Sequence, residues 1–443
     1  MKLLIIADDF TGALDTGVQL SKHSIRTVVM TSPDDIPSID QECQVLVINA
    51  DIRHACPEEA YECICSLLYK YMEDFSHVYL KTDSVLRGNL SAVFAAALHV
   101  CRKPLCFIPA FPELNRITRD ATAYVNGQRL EDSVFRDDPR SPAVESYIPA
   151  ILNRDYPVRC LCISHENYHL FTETSLDCDT VYLFDCETNE QLRSIGSLIQ
   201  QQNLYTFTAG CAGFASTFAE HLPFNKALSS ISKSSGPVLF VSGSANAVTL
   251  QQLVYARGQG YPVIPLAKIM FSNTDYITST PENKDFFKDF QYLEIVKQAV
   301  TSLQNGQSVI LATAVEQKEL ESNTPCSSDT TTNYEKNLHN YIARYTSSLV
   351  KSIIDEMEPD DSSASFGASS NSLKNLAVFG GDMAAAILNQ LSCHQVCAAG
   401  EITAGVPLCE IQYKGQAVHL VTKSGGFGEA DMIPVIEHYL RKL

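Results

Sequence analysis

The chain has 443 residues, a length that points to two domains with room for full hydrophobic cores. With 51 acidic against 33 basic side chains the formal charge is −18, which argues against nucleic-acid or anionic-membrane partners and means that an anionic ligand needs a local positive site. A hydrophobic content of 45% excludes a disordered chain, no apolar run reaches membrane-spanning length, and Asp8 and Asp9 come too early for a secretion signal, so a cytoplasmic protein is expected.

Short apolar runs over 2–7, 27–31, 45–49, 77–81 and 105–109 read as strands, and amphipathic stretches over 12–22, 57–75 and 90–101 as the helices between them, with Pro57 placed to open the second. Such alternation predicts an α/β fold whose N-terminal domain, over 1–224, is a doubly wound parallel sheet. A Ser- and Lys-rich connector follows, and a strand at 238–241 begins a second α/β domain over 237–443. From 316 to 372 periodicity fades into Ser, Thr and Asn, which reads as flexible loops around one helix over 334–356, an insertion in preference to a lid. Strands return over 376–379 and 417–422. The fifteen cysteines lie mostly in apolar runs, as Cys106, Cys160 and Cys162 do, and no Cys-x-x-Cys pair occurs, so reduced core thiols are expected.

Open α/β sheets bind ligands beyond the carboxyl ends of their strands. In the first domain those ends are unusually polar: Asp8-Asp9-Phe10-Thr11-Gly12, then Asn49 to Arg53, then Lys81-Thr82-Asp83-Ser84 running on to Arg87-Gly88-Asn89. Carboxylates accept hydrogen bonds from hydroxyls, and Arg53, Arg87 or Lys81 can pair with a ligand carboxylate, so the set suits a polyhydroxy acid. Each turn taken singly is also explained as a helix cap. The second domain has small-residue turns after three strands, at Ser242 to Asn246, at Gly380-Gly381-Asp382-Met383 and at Lys423 to Gly428. Backbone N–H groups in such turns can approach phosphate oxygens, and Lys423 can neutralise phosphate charge. No Walker A loop, G-x-G-x-x-G or protein-kinase signature is present. The segment His165-Glu166-Asn167-Tyr168-His169 fits the H-E-x-x-H zinc pattern by accident, because it directly follows a strand and lacks strong helix formers.

At ADDFTGALDTG (7–17) and KTDSVLRGN (81–89) the sequence resembles the four-carbon acid sugar kinase family, and similar motifs recur through VSGSANAVT (241–249), VFGGDMAAA (378–386), GEITAGVPL (400–408) and VTKSGGFG (421–428). The resemblance implies a sugar-acid-binding N-terminal domain and a nucleotide-binding C-terminal one. It also implies ATP and Mg²⁺ as cofactors and transfer to a hydroxyl, the terminal 4-hydroxyl, of threonate, erythronate or 3-oxo-tetronate. Carried over by motif, the substrate side is Asp8, Asp9, Arg53, Asp83, Ser84, Arg87 and Gly88, and the nucleotide side is Ser244, Gly380, Gly381, Asp382, Met383, Gly425 and Gly426. No metal ligand is assigned, and homo-oligomer formation is left open. The chain departs from the family pattern at Met383, where a small hydroxyl residue is common, and at Arg119-Asp120-Ala121, where the family is more glycine-rich. The expected base is Asp9 or Asp8, with Arg53 and Arg87 on the substrate carboxylate and domain closure excluding water. A hydroxy-acid oxidoreductase and a non-catalytic sugar-acid sensor are the rival readings.

Overall fold

Each strand of the first unit's sheet is short and most are buried on both faces, as Leu3–Ala7 (β1), Val45–Asn49 (β3) and His77–Lys81 (β4) are at every position. That is the pattern of parallel strands covered by helices on both sides. The structure is a computed structural model that describes residues 2–33, 43–138, 141–171, 176–226, 231–233, 235–266, 290–314, 331–358 and 372–443, with the side chains of 137 and 331–337 left aside. The chain divides into two units, Met1–Ser229 and Ser230–Leu443.

In the first unit the helices Phe10–Ser21 (α1), Pro57–Tyr71 (α2) and Leu90–Cys101 (α3) connect the early strands. The sheet continues through Thr27–Met30 (β2), Leu105–Ile108 (β5), Arg159–Ile163, Thr180–Phe184 and Phe207–Gly210. From β2 the order runs β3, β1, β4, then Phe207–Gly210, β5, Thr180–Phe184 and Arg159–Ile163, all parallel. The connection from β1 leads to one side and that from β4 to the other, so the loops after these neighbours flank the topological switch point. Helix α1 starts two residues earlier than the sequence suggests, because Asp9 takes the N-cap position and its carboxylate accepts the Gly12 N–H at 2.8 Å. Residues 116–129 form a small antiparallel sheet that the sequence did not announce; Asp120 and Ala121 make its tight turn with φ of 50° and 56°.

The second unit is built on Leu239–Ser242 (β6), Val263–Pro265 (β7), Val309–Ala312 (β8), Asn375–Phe379 (β9), Gln395–Thr403 (β10), Val406–Tyr413 (β11) and Gln416–Lys423 (β12). Their order is β7-β8-β6-β9-β12-β11-β10, parallel as far as β12 and antiparallel through the last two. Helices Ala247–Gly258 (α4) and Gly381–Gln390 (α5) leave β6 and β9 towards opposite sides, giving this unit its own switch point. Helix α5 opens at Gly381, where the sequence had suggested a turn through Met383. Gly380 makes the bend instead, with φ of +115°, a value that a side chain strains to adopt. Met383 then lies in the helix's first turn, buried against Gly243. The helix expected over 334–356 is Thr331–Glu356, whereas 315–330 and 359–371, on which the insertion reading also falls, lie outside the described residues. Among the described residues no helix is long and apolar enough to cross a membrane.

Candidate active site

The acidic first turn, the loop after β3 and the loop after β4 come together, as the strand order requires. Arg53 reaches across and forks onto Asp8, Nε to Oδ2 at 2.8 Å and Nη2 to Oδ1 at 2.9 Å, while its Nη1 donates to Asp9 Oδ2. The same guanidinium lies 3.7 Å from Asp83. Arg87 forks onto Asp83, with Nε 2.8 Å from Oδ2 and Nη2 3.1 Å from Oδ1, and donates to Asp138 at 2.9 Å. Both arginines are thus committed to carboxylates of the protein itself, so the reading in which they also grip a substrate carboxylate would require these pairs to be shared.

The backbone fixes these side chains. Asp8 O accepts the N–H groups of Ile52 and Arg53 at 3.0 and 3.1 Å, and Asn89 Nδ2 donates to Ile52 O and Ala55 O, which ties the three loops into one body. Gly88 has φ of +92°, and a Cβ there would stand 3.4 Å from Arg53 Cγ. Its conformational freedom lets the chain pass beside the guanidinium. Ser84 Oγ accepts from Arg116, a residue of the small antiparallel sheet, and Arg116 and Arg87 each lie against the Phe135 ring. A cleft of about 370 Å³ adjoins the cluster, with Arg53, Arg87, Gly88, Asn89, Ser141 and Arg154 among its walls. Its size lies in the range of small-molecule pockets.

Burial pushes the Asp8 carboxyl above the ordinary value, although Arg53 opposes the shift. Burial acts on Asp83 in the same sense, but there Arg87 and Arg53 outweigh it and hold the carboxyl well below the usual range. Two carboxylates that meet the same Arg53 guanidinium are therefore pushed in opposite directions, a pattern frequent at functional sites.

In the second unit the turns after β6, β9 and β12 also meet. Gly243 N donates to Phe379 O and Gly380 N to Lys423 O, both at 2.9 Å. Asn246 caps α4 by accepting from Val248 N at 3.0 Å, and Ser244 Oγ accepts from Asn246 N at 3.3 Å. The N-cap of α5 is Gly380, which carries no capping side chain; Asp382 sits in its first turn, exposed. Gly425 passes so close that a Cβ would come 2.5 Å from Ser244 Oγ. Lys423 was expected at phosphate; it is 1% exposed and turned inward, donating to Thr249 Oγ1, Ser424 O and Gly425 O at 3.2, 3.1 and 3.3 Å. Loss of hydration lowers it to about 7. Gln252, which the sequence did not single out, holds the same loop by donating to the carbonyls of Phe427, Gly428 and Glu429.

The H-E-x-x-H segment is a short turn over His165–Asn167 followed by one helical turn, Tyr168–Phe171, and its His165 ring packs on Tyr168. Among the described residues no group of three or more His, Cys, Asp or Glu side chains is arranged to hold a metal ion.

The chain thus joins two α/β units, one with charged turns after its strands and one with glycine turns at a helix N-terminus without a side-chain cap. Residues 3–218 match the family described as a sugar-binding N-terminal domain and residues 239–433 the nucleotide-binding C-terminal domain. The chain belongs to the four-carbon acid sugar kinase family. It is 26% identical to a D-threonate kinase of Salmonella typhimurium over 457 aligned residues, covering 100% of this chain and 99% of that protein. It is 31% identical to a D-erythronate kinase of Heliobacterium modesticaldum over 34% of this chain and 35% of that one. Its fold is similar to crystal structures of proteins from Salmonella typhimurium LT2, with a TM-score of 0.75, and Haemophilus influenzae, with 0.70. Both are 18% identical; the first covers 99% of each chain, the second 99% of this chain and 100% of that one.

Proposed function

We propose that the protein is a cytoplasmic ATP-dependent kinase that phosphorylates the terminal 4-hydroxyl of a four-carbon sugar acid such as threonate, erythronate or 3-oxo-tetronate. The observation that carries the reading is that each unit gathers its polar turns at its own topological switch point, charged in the first and glycine-rich in the second. The relatives' kinase names support it.

The first unit binds and orients the acid. Asp8, Asp9 and Asp83 are acceptors for hydroxyls, Ser84 both donates and accepts, and Arg53, Arg87 and Gly88 keep these groups in register. Asp9 or Asp8 takes the proton of the attacking hydroxyl. Both oxygens of Asp9 already accept a hydrogen bond, but a carboxylate offers about four lone-pair sites, so each oxygen can accept another from substrate.

The second unit fits a nucleotide's phosphates on geometric grounds. Gly425 leaves a space that a Cβ would fill, the N-terminus of α5 has no side-chain cap, and the buried hydroxyls of Ser242 and Thr422 find no hydrogen-bond partner among the described residues. Ser244, Gly380 to Met383, Gly425 and Gly426 would hold the phosphates, Met383 through its backbone, since its side chain is in the core. When bound, Mg-ATP supplies the phosphoryl group and most of the ligands of its own metal ion, with Asp382 the acidic side chain in the adjoining helical turn.

The test is ADP release from Mg-ATP with both threonates, both erythronates and their 3-oxo forms. Release with one acid establishes the kinase and names its substrate. Silence across the panel from a chain that binds ATP overturns the four-carbon assignment. Asp9→Asn and Asp8→Asn variants separate the two candidate bases, because the base variant loses turnover while retaining acid binding.

A further inference from the structure

The loop after β12 has its carbonyls turned into the second unit. Lys423 Nζ donates to Ser424 O and Gly425 O, and Thr249 Oγ1 donates to Gly425 O at 2.9 Å. Gln252 Nε2 donates to Phe427 O, Gly428 O and Glu429 O at 3.0, 3.1 and 2.9 Å. In a planar trans peptide the C=O and the N–H that follows it point in opposite directions. Inward carbonyls at Ser424, Gly425, Phe427 and Gly428 therefore turn the N–H groups of Gly425, Gly426, Gly428 and Glu429 outward. None of these four N–H groups finds an acceptor among the described residues, and Gly426, Gly428 and Glu429 are exposed. Successive outward amides of this kind make a concavity for an anion.

Packing alone does not account for Gln252. It is 0% exposed on α4, and its Nε2 has two hydrogens for three carbonyls, so one hydrogen is shared. All three partners are acceptors, so the amide can face the loop in one orientation only, and its Oε1 is left buried with no partner among the described residues. An unpaired buried acceptor is destabilising, so an apolar side chain of the same length would serve the core as well. What the glutamine adds is a hold on three consecutive carbonyls. Thr249 lies three residues earlier on the same face of α4 and holds the Gly425 carbonyl in the same way.

We propose that Gln252 is a positioning residue for phosphoryl transfer. By drawing the carbonyls of Phe427, Gly428 and Glu429 inward it aims the N–H groups of Gly428 and Glu429, in line with those of Gly425 and Gly426, at the phosphates of the nucleotide. The assignment rests on the nucleotide reading given above and adds to it a buried residue that touches no ligand. It also makes α4 the element that sets the loop, since the helix carries both Thr249 and Gln252.

The experiment is calorimetric binding of Mg-ATP, magnesium tripolyphosphate, adenosine and D-threonate to the full chain, for wild type, Gln252→Met and Gln252→Glu. Gln252→Met keeps the length of the side chain and removes both the donor and the unpaired acceptor, so its urea midpoint should stay near that of wild type. Hydrogen bonds from one or two amides to phosphate are worth about tenfold to a hundredfold in affinity. Gln252→Met is expected to lose that factor for ATP and for tripolyphosphate alike, and to bind adenosine and D-threonate within about twofold of wild type, by the same reckoning. Gln252→Glu is nearly isosteric and sets an oxygen against the three carbonyls; it is expected to weaken the same two ligands and serves if Gln252→Met does not fold. Variants that bind ATP and tripolyphosphate as wild type does, or that lose adenosine in equal measure, overturn the assignment while leaving the nucleotide reading intact. A wild-type chain that binds neither ATP nor tripolyphosphate overturns both.

Discussion

Arg53 holds both oxygens of Asp8, at 2.8 and 2.9 Å, across 45 residues of sequence. The pair fastens the loop after β3 to the loop after β1, and both partners are largely shielded from water, with 11% of each side chain exposed. Removing Arg53 leaves the Asp8 carboxylate buried without its fork, a change that typically costs about 3–5 kcal/mol. Arg53→Met should therefore lower the unfolding free energy by an amount of that order. Arg53→Lys should lose less stability but most of the turnover, because an ammonium cannot reproduce the planar fork. Urea denaturation and ADP release on the two variants check this; equal turnover in Arg53→Lys and wild type would show that the fork does not matter to the chemistry.

Asp83 gives the first unit a specific acid sensitivity. Its folded carboxyl titrates well below the 3.8 of an ordinary aspartate, because Arg87 and Arg53 overcome the opposing effect of burial. A depressed carboxyl contributes stability that is complete above the unfolded value and is lost as the pH falls towards the folded one. Wild type should thus lose stability progressively below about pH 4, and Asp83→Asn, already less stable at neutral pH, should lose less over the same interval. Urea midpoints from pH 6 to pH 3 decide it: parallel curves for the two chains would exclude Asp83 as a source of the acid response.

The parallel strands were readable because full burial makes them continuous apolar runs. Val45–Asn49 and His77–Lys81 match the sequence expectation residue for residue, as does the helix Leu90–Cys101. The convergence of Asp8, Asp9, Arg53, Asp83 and Arg87 was legible for the same reason, since these residues directly follow such strands. What each charge does was not legible. A sequence does not say that Arg53 turns to Asp8, that Lys423 turns inward, or that Arg116 arrives from a hairpin to meet Ser84, because those outcomes depend on distances fixed only by packing. The small sheet at 116–129 was missed because its turn uses Asp120 and Ala121 with positive φ, where no glycine marks the bend.

Gly425 is the position at which the nucleotide side can be tested by volume alone. A methyl group there would lie 2.5 Å from Ser244 Oγ and 2.8 Å from Asn246 Cβ, so the loop after β12 and the turn after β6 must separate. Gly425→Ala should raise KM for ATP by about tenfold or more, the effect of losing one or two backbone contacts to phosphate. Affinity for the sugar acid, measured without nucleotide, should stay as in wild type. An unchanged KM would remove this glycine from the phosphate site.

Lys423 couples the same loop to pH. Its ammonium donates to Thr249, Ser424 O and Gly425 O and lies 4.8 Å from the centre of the Phe379 ring, yet loss of hydration lowers it to about 7 from 10.5. Between those values the unfolded chain holds a proton that the folded chain releases, so this residue makes folding more favourable as pH rises from 7 towards 10.5. The slope is at most about 1.4 kcal/mol per pH unit. Lys423→Met should abolish that rise while leaving the β12 core packed, and should raise KM for ATP because the Gly425 carbonyl loses a donor. Urea denaturation at pH 7, 8 and 9 compares the two chains. If wild type and variant rise in parallel, Lys423 stays charged throughout and its three acceptors, not its burial, govern its proton.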